Sequence, residues 1–97
     1  MARVVYAANA LANLERAFRF LARSDPDVAA SAADAIATAV DALAQHPLIG
    51  RRIRDDIREL VISFGRTGYL ALYRFLPARD EVRVLAVRHQ REVDYLP

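Results

Sequence analysis

The apolar positions change period once along this chain. Up to about residue 45 they recur every three to four places, and beyond Gly50 they alternate or run together. A helical half is therefore expected to precede a β half. Ahead of the first helix, Arg3 to Ala7 (RVVYA) is a β-branched and aromatic run that reads as a short strand. Leu11, Leu14, Phe18 and Leu21 then recur at three and four, which predicts an amphipathic helix capped by Asn9, with Asn13, Arg16, Arg19 and Arg23 turned to water. The segment SDPD ends that helix and starts another: Asp25 can cap it, Pro26 suits its first position, and Asp27 complements its dipole. Ala29, Ala33, Ile36, Val40 and Leu43 form the seam of the second helix, and its mostly small side chains allow close approach in an antiparallel helical hairpin.

HPLIG stops the second helix, because Pro47 cannot continue it and Gly50 frees the backbone to turn. Strands are predicted over Ile57–Ser63, Tyr69–Leu76 and Val82–Val87, joined by turns at FGRTG and PARD. The fold class that results is α+β, with the order β-α-α-β-β-β and the helical hairpin packed on one face of a small antiparallel sheet. One domain spans residues 1–97, since a chain of this length holds a single two-layer core. In YLALYRFL both faces are largely apolar, Tyr69, Ala71, Tyr73 and Phe75 on one and Leu70, Leu72, Arg74 and Leu76 on the other. A central strand covered on both sides reads this way. The hairpin can cover only one face, so the other is expected to await a partner.

Composition narrows the function classes. Charged residues make up 27% and apolar residues 55%, which suits a folded globular chain. With no cysteine there is neither a disulfide framework nor a thiolate zinc site, and a reducing cytoplasm is the expected compartment. Two histidines make a poor metal site, and no cofactor is expected. Asp34 and Asp41 interrupt the long Ala-rich stretch, so no membrane span is expected, and the apolar run at the start is too short for an export signal. Residues 1–49 hold four Arg against five acids, a balance of −1; residues 50–97 hold ten against seven, a balance of +3. A net charge of +2 is far below that of a nucleic-acid coat.

Several basic side chains stand where chemistry or binding could use them. In RRIRDDIR, Asp55 and Asp56 cancel most of the charge, which predicts a solvated, self-paired connection. Arg58 is the exception, because it lies on a predicted strand and would be held there, against a carboxylate. Arg74 stands among leucines and needs a partner, an internal acid or another chain, since an unpaired buried charge is severely penalised. His89 could act as acid or base with Arg88, Arg91 or Arg58 on a phosphate; equally, it can sit half-exposed at a strand end, bonded to a neighbour. Tyr95 reads as an apolar anchor with a wet hydroxyl. His46, at a helix end, has a structural reading.

Taken in order, Pro26, Ala29, Ile36, Val40 and Leu43, then His46-Pro47, Gly50-Arg51, Arg58-Glu59-Leu60, Gly68-Tyr69, Tyr73-Arg74, and Val87-Arg88-His89 with Arg91 resemble the RelE/ParE superfamily of toxins from type II toxin–antitoxin modules. The resemblance covers nearly the whole chain. It implies the same β-α-α-β-β-β fold, a cognate antitoxin encoded by an adjacent gene and bound as a hetero-oligomer, and growth arrest when that antitoxin is lost. RelE-like members are ribosome-dependent mRNA endonucleases; ParE-like members inhibit DNA gyrase by binding. In the RelE-like pattern an arginine typically follows the Gly-Tyr of the middle strand, where this chain has Leu70, and a second basic position falls near Gln90, one place from Arg91. Both departures point to the ParE branch, with gyrase as target and no catalytic residue of its own. The alternatives are a RelE-like mRNA interferase acting on the ribosome, with His89, Arg58, Arg91 and Tyr95 as its catalytic group, or an inactive interaction domain. Contacts to antitoxin or target are expected from Arg58, Arg74, Arg88, His89, Arg91 and Tyr95.

Overall fold

The computed structural model describes residues 1–95; Leu96 and Pro97 lie outside the described residues. Strand β1 is Arg3–Tyr6, followed by helices α1, Ala8–Ala22, and α2, Pro26–Asp41. Four strands follow: β2, Arg51–Arg54; β3, Ile57–Phe64; β4, Thr67–Leu76; and β5, Glu81–His89. They form one sheet in the order β1-β5-β4-β3-β2, antiparallel except where β1 runs parallel to β5. The helical hairpin lies on one face, as the two periodicities require. Ala10, Ala32, Ile36, Val40 and Leu43 meet Ile62, Tyr69, Ala71, Tyr73, Val82, Val84 and Val87 in the core.

RRIR is a strand where a connection was expected. It pairs with β3 as an edge, and Asp55 turns the chain with a φ of 46°, a left-handed conformation that Asp tolerates better than most residues. All four residues of β2 are exposed, so no apolar alternation marks it in the sequence. The other hairpin, β3 to β4, turns on Gly65 and Arg66 alone and so draws Phe64 and Thr67 into the strands.

The first helix is rotated from the expected face. Ala10 and Asn13 are buried, while Leu11 and Phe18 are exposed. Asn9 does not cap it, because Ala7 holds that position without a side-chain bond. Both asparagines instead finish an edge. β1 ends at Tyr6, opposite Val84, and leaves the rest of that side of β5 unpaired. There Asn9 Nδ2 donates to the Leu85 carbonyl at 3.4 Å, and Asn13 Oδ1 accepts from the Val87 N–H at 2.9 Å. One helical turn separates the two, so α1 continues with side chains the pairing that β1 begins with backbone. In α2 the buried seam runs through Ala29, Ala32, Ile36 and Val40, with Ala33 exposed instead of inside; Asp25 caps it as expected, accepting from Asp27 N and Val28 N.

Candidate functional site

The face of the sheet away from the helices is partly closed by the chain itself. Glu59, Leu70 and Ala86 are buried there, while Val61 stays 56% exposed. Glu59 sits opposite Leu72 on this face and forms the centre of a small network. Arg51 Nη2 donates to its Oε1 at 2.7 Å, and the Tyr95 hydroxyl donates to its Oε2 at 2.7 Å. The Arg88 guanidinium lies 5.1 Å from the centre of the Tyr95 ring. Burial alone would raise the Glu59 pKa, but the bonds from Tyr95 and Arg51 and the charges of Arg51 and Arg88 hold it below the usual carboxylate value. Burial, then the bond to Glu59, push the Tyr95 phenol well above its ordinary value. The hydroxyl expected to be wet is thus a fixed donor to a carboxylate.

His89 belongs to the opposite face. It pairs in register with Tyr69 and stands edge-on to that ring, with 5.3 Å between centroids. Its Nδ1 accepts from the Arg91 N–H at 3.1 Å, which leaves the proton on Nε2 to be donated to Thr67 Oγ1 at 3.0 Å. Both ring nitrogens are therefore engaged within the chain. The following turn is held by Glu92, whose Oε1 accepts from His89 N at 3.0 Å and whose carbonyl accepts from Arg88 Nη1.

The remaining arginines serve other places. Among the described residues Arg58 meets no carboxylate, contrary to expectation: its Nη1 donates to the carbonyls of Leu48 and Gly50, at 3.1 and 2.8 Å, and holds the loop that follows α2. Arg74 finds an internal acid, Asp56, at 3.2 Å, so its charge is answered inside the chain. Its neighbour across the sheet, Arg83, pairs with the buried Glu81, which Arg3 also contacts at 2.8 Å. The Arg3 bond comes first in lowering the Glu81 pKa.

The six expected contact residues are thus divided. His89 and Arg91 share the end of β5, Arg88 and Tyr95 lie with Glu59 on the reverse face, Arg58 supports a loop, and Arg74 is paired near the β2–β3 turn. Among the described residues, no three of His, Asp and Glu converge as a metal would need, and no helix is long and apolar enough to cross a membrane.

Beside His89 a cleft of about 570 Å³ opens between α1 and the ends of β4 and β5. Asn13, Arg16, Phe20, Phe64, His89 and Arg91 are among its walls. Sequence reasoning gave Glu59 and Phe20 no role of their own and turned Asn13 to water, whereas it is buried. A signal existed for Asn13, which falls three places after Ala10 and four before Ala17, on the helix's inward stripe.

Two comparisons bear on this arrangement. The family model of the ParE toxin of type II toxin–antitoxin systems, parDE, matches residues 4–94. Toxin RelE3 of Caulobacter vibrioides is 37% identical over 80 residues, which covers 82% of this chain and 85% of that protein.

Proposed function

This chain belongs to the ParE toxin family of type II toxin–antitoxin systems, within the RelE/ParE superfamily, and its partner is an antitoxin; from that premise we propose that it arrests growth by binding and inhibiting DNA gyrase in the cytoplasm and has no hydrolytic step of its own. The supporting observation is the separation of the groups that RNA cleavage would need to gather. A nuclease of this kind needs a base for the 2′-hydroxyl, an acid for the leaving oxygen and cations on the phosphate, all within reach of one another. Here His89 spends both nitrogens on Arg91 and Thr67, the Tyr95 hydroxyl donates to Glu59 on the other face, and Arg58 is bonded to two carbonyls. Leu70, 8% exposed and opposite Arg88 in the ladder, offers a phosphate nothing.

The second reading, cleavage of ribosome-bound message, draws on the name of the Caulobacter relative and on His89 lying beside Arg91. His89→Gln separates the two readings. Glutamine can keep the donor toward Thr67 while removing any acid–base function. Growth arrest at a given level of induction is expected to stay within about threefold of the parent chain, whereas a nuclease deprived of its general base loses about 10²- to 10⁴-fold. Viable counts after graded induction measure this, and arrest abolished in a folded variant would favour the nuclease.

A further inference from the structure

The cleft beside α1 holds donors that the chain itself leaves unused. Asn13 is 3% exposed and lines it. The Val87 N–H fixes Asn13 Oδ1 at 2.9 Å, so the amide cannot flip without setting N–H against N–H, and among the described residues its Nδ2 has no hydrogen-bond partner. A buried donor in that state costs free energy unless something completes it. Arg16 and Arg91 stand exposed at the cleft, and among the described residues neither guanidinium has an ion pair. Between them Phe20 is 69% exposed on α1, and Phe64 closes the floor from β3. An exposed phenylalanine beside free arginines and a buried amide donor form a pocket with a stated complement: an apolar side chain, a carboxylate, and a carbonyl.

We propose that this cleft seats an acidic segment of the antitoxin. One carboxylate lies between Arg16 and Arg91, an apolar side chain packs on Phe20 and Phe64, and a backbone carbonyl accepts from Asn13 Nδ2. The inference rests on membership of the toxin family and not on the choice of gyrase. A protein segment fits better than a nucleic-acid strand, because acids interrupt the run of cations at this cleft. Glu15 ties up Arg19, the next arginine along α1, and the Glu92 carboxylate stands at the rim. A strand of phosphates needs a continuous track of cations.

Calorimetric titration of the chain with its antitoxin tests this. Arg16→Glu with Arg91→Glu is expected to weaken binding by about thirtyfold or more and to flatten its salt dependence, as reversal of closely paired charges does. Arg54→Glu with Arg79→Glu makes the same charge change away from the cleft and should stay within about threefold. On the parent chain, the Asn13 side-chain NH₂ resonances should shift when antitoxin is added, a readout that does not depend on any variant folding. Unchanged affinity in the cleft variant, or Asn13 resonances that do not move, overturns the proposal while leaving the family assignment intact. So does a cleft variant that keeps the antitoxin but loses binding to a short single-stranded oligonucleotide, which would make the cleft a nucleic-acid site. A parent chain that fails to bind the antitoxin at all overturns both.

Discussion

Tyr73→Ala removes most of the stability of this domain, whereas Tyr73→Phe leaves it folded and weaker by the value of one buried hydrogen bond. The Tyr73 ring is completely buried at the centre of the sheet, against the helical layer. Its hydroxyl accepts from the Gly50 N–H at 2.8 Å, inside the core. Truncating a buried aromatic costs about 3–5 kcal/mol through lost burial and the cavity left behind. Orphaning the Gly50 donor adds about 1–3 kcal/mol. Against a total of about 5–15 kcal/mol for a domain of this kind, the alanine variant should be largely or wholly unfolded. The phenylalanine variant keeps the ring and should lose only about 1–3 kcal/mol. Chemical denaturation of the three proteins measures both steps. An alanine variant within about 2 kcal/mol of the parent would show that the helices and sheet are not joined through this ring. Gly50 is part of the same fit, since a Cβ there would lie 2.6 Å from the Tyr73 ring and 2.9 Å from the Glu59 carbonyl.

The second large effect is expected at Gly68→Ala, for a different reason. Gly68 is the second residue of β4, opposite Ser63, and a Cβ built on it would lie 2.3 Å from the Ile62 carbonyl oxygen. The obstacle is backbone, so no rotamer relieves it and the β3–β4 hairpin itself has to shift. Overpacking of this kind costs about 3 kcal/mol. The same glycine's carbonyl accepts from Gln90 N at 3.0 Å, so a displaced hairpin also disturbs the turn that carries His89 and Arg91. The variant should melt well below the parent and show weakened protection of the amides of β3 and β4 in hydrogen exchange. Unchanged protection would mean that the hairpin relaxes at little cost.

How much of this was legible depended on whether a residue's role left an apolar trace. YLALYRFL announced a central strand because both its faces are covered, and β4 is that strand. RRIR announced nothing, because an edge strand exposed on both faces is held by backbone pairing to β3 and by the left-handed turn at Asp55. In α1 the large residues misled. Leu11 and Phe18 outweigh Ala10 and Asn13 on any hydrophobicity count, yet the inward face is set by alanines that permit close packing and by asparagines that complete the edge of β5. The network around Glu59 was hidden for a simpler reason. Its members, Arg51, Glu59, Arg88 and Tyr95, are spread over 45 positions, and only the sheet register brings them together. That Arg74 needs a partner did follow from its apolar neighbours, with an internal acid and another chain both open, and Asp56 is the acid that meets it.

The reverse face shows where the expectation of a bare surface was too simple. Tyr95 lies over Glu59 with Arg88 above its ring, so part of this face is covered by the chain's own C-terminal segment, while Val61 remains open. A partner that uses this face has to share it with Tyr95 or displace it.

The central claim is that this toxin works as a binding surface on gyrase, and the supercoiling of relaxed plasmid by purified gyrase, titrated with the chain in the absence of ribosomes, tests it most directly. Supercoiling should fall as the chain is added and recover when antitoxin follows. Full supercoiling at saturating chain, from a preparation that cuts message on translating ribosomes, would contradict it.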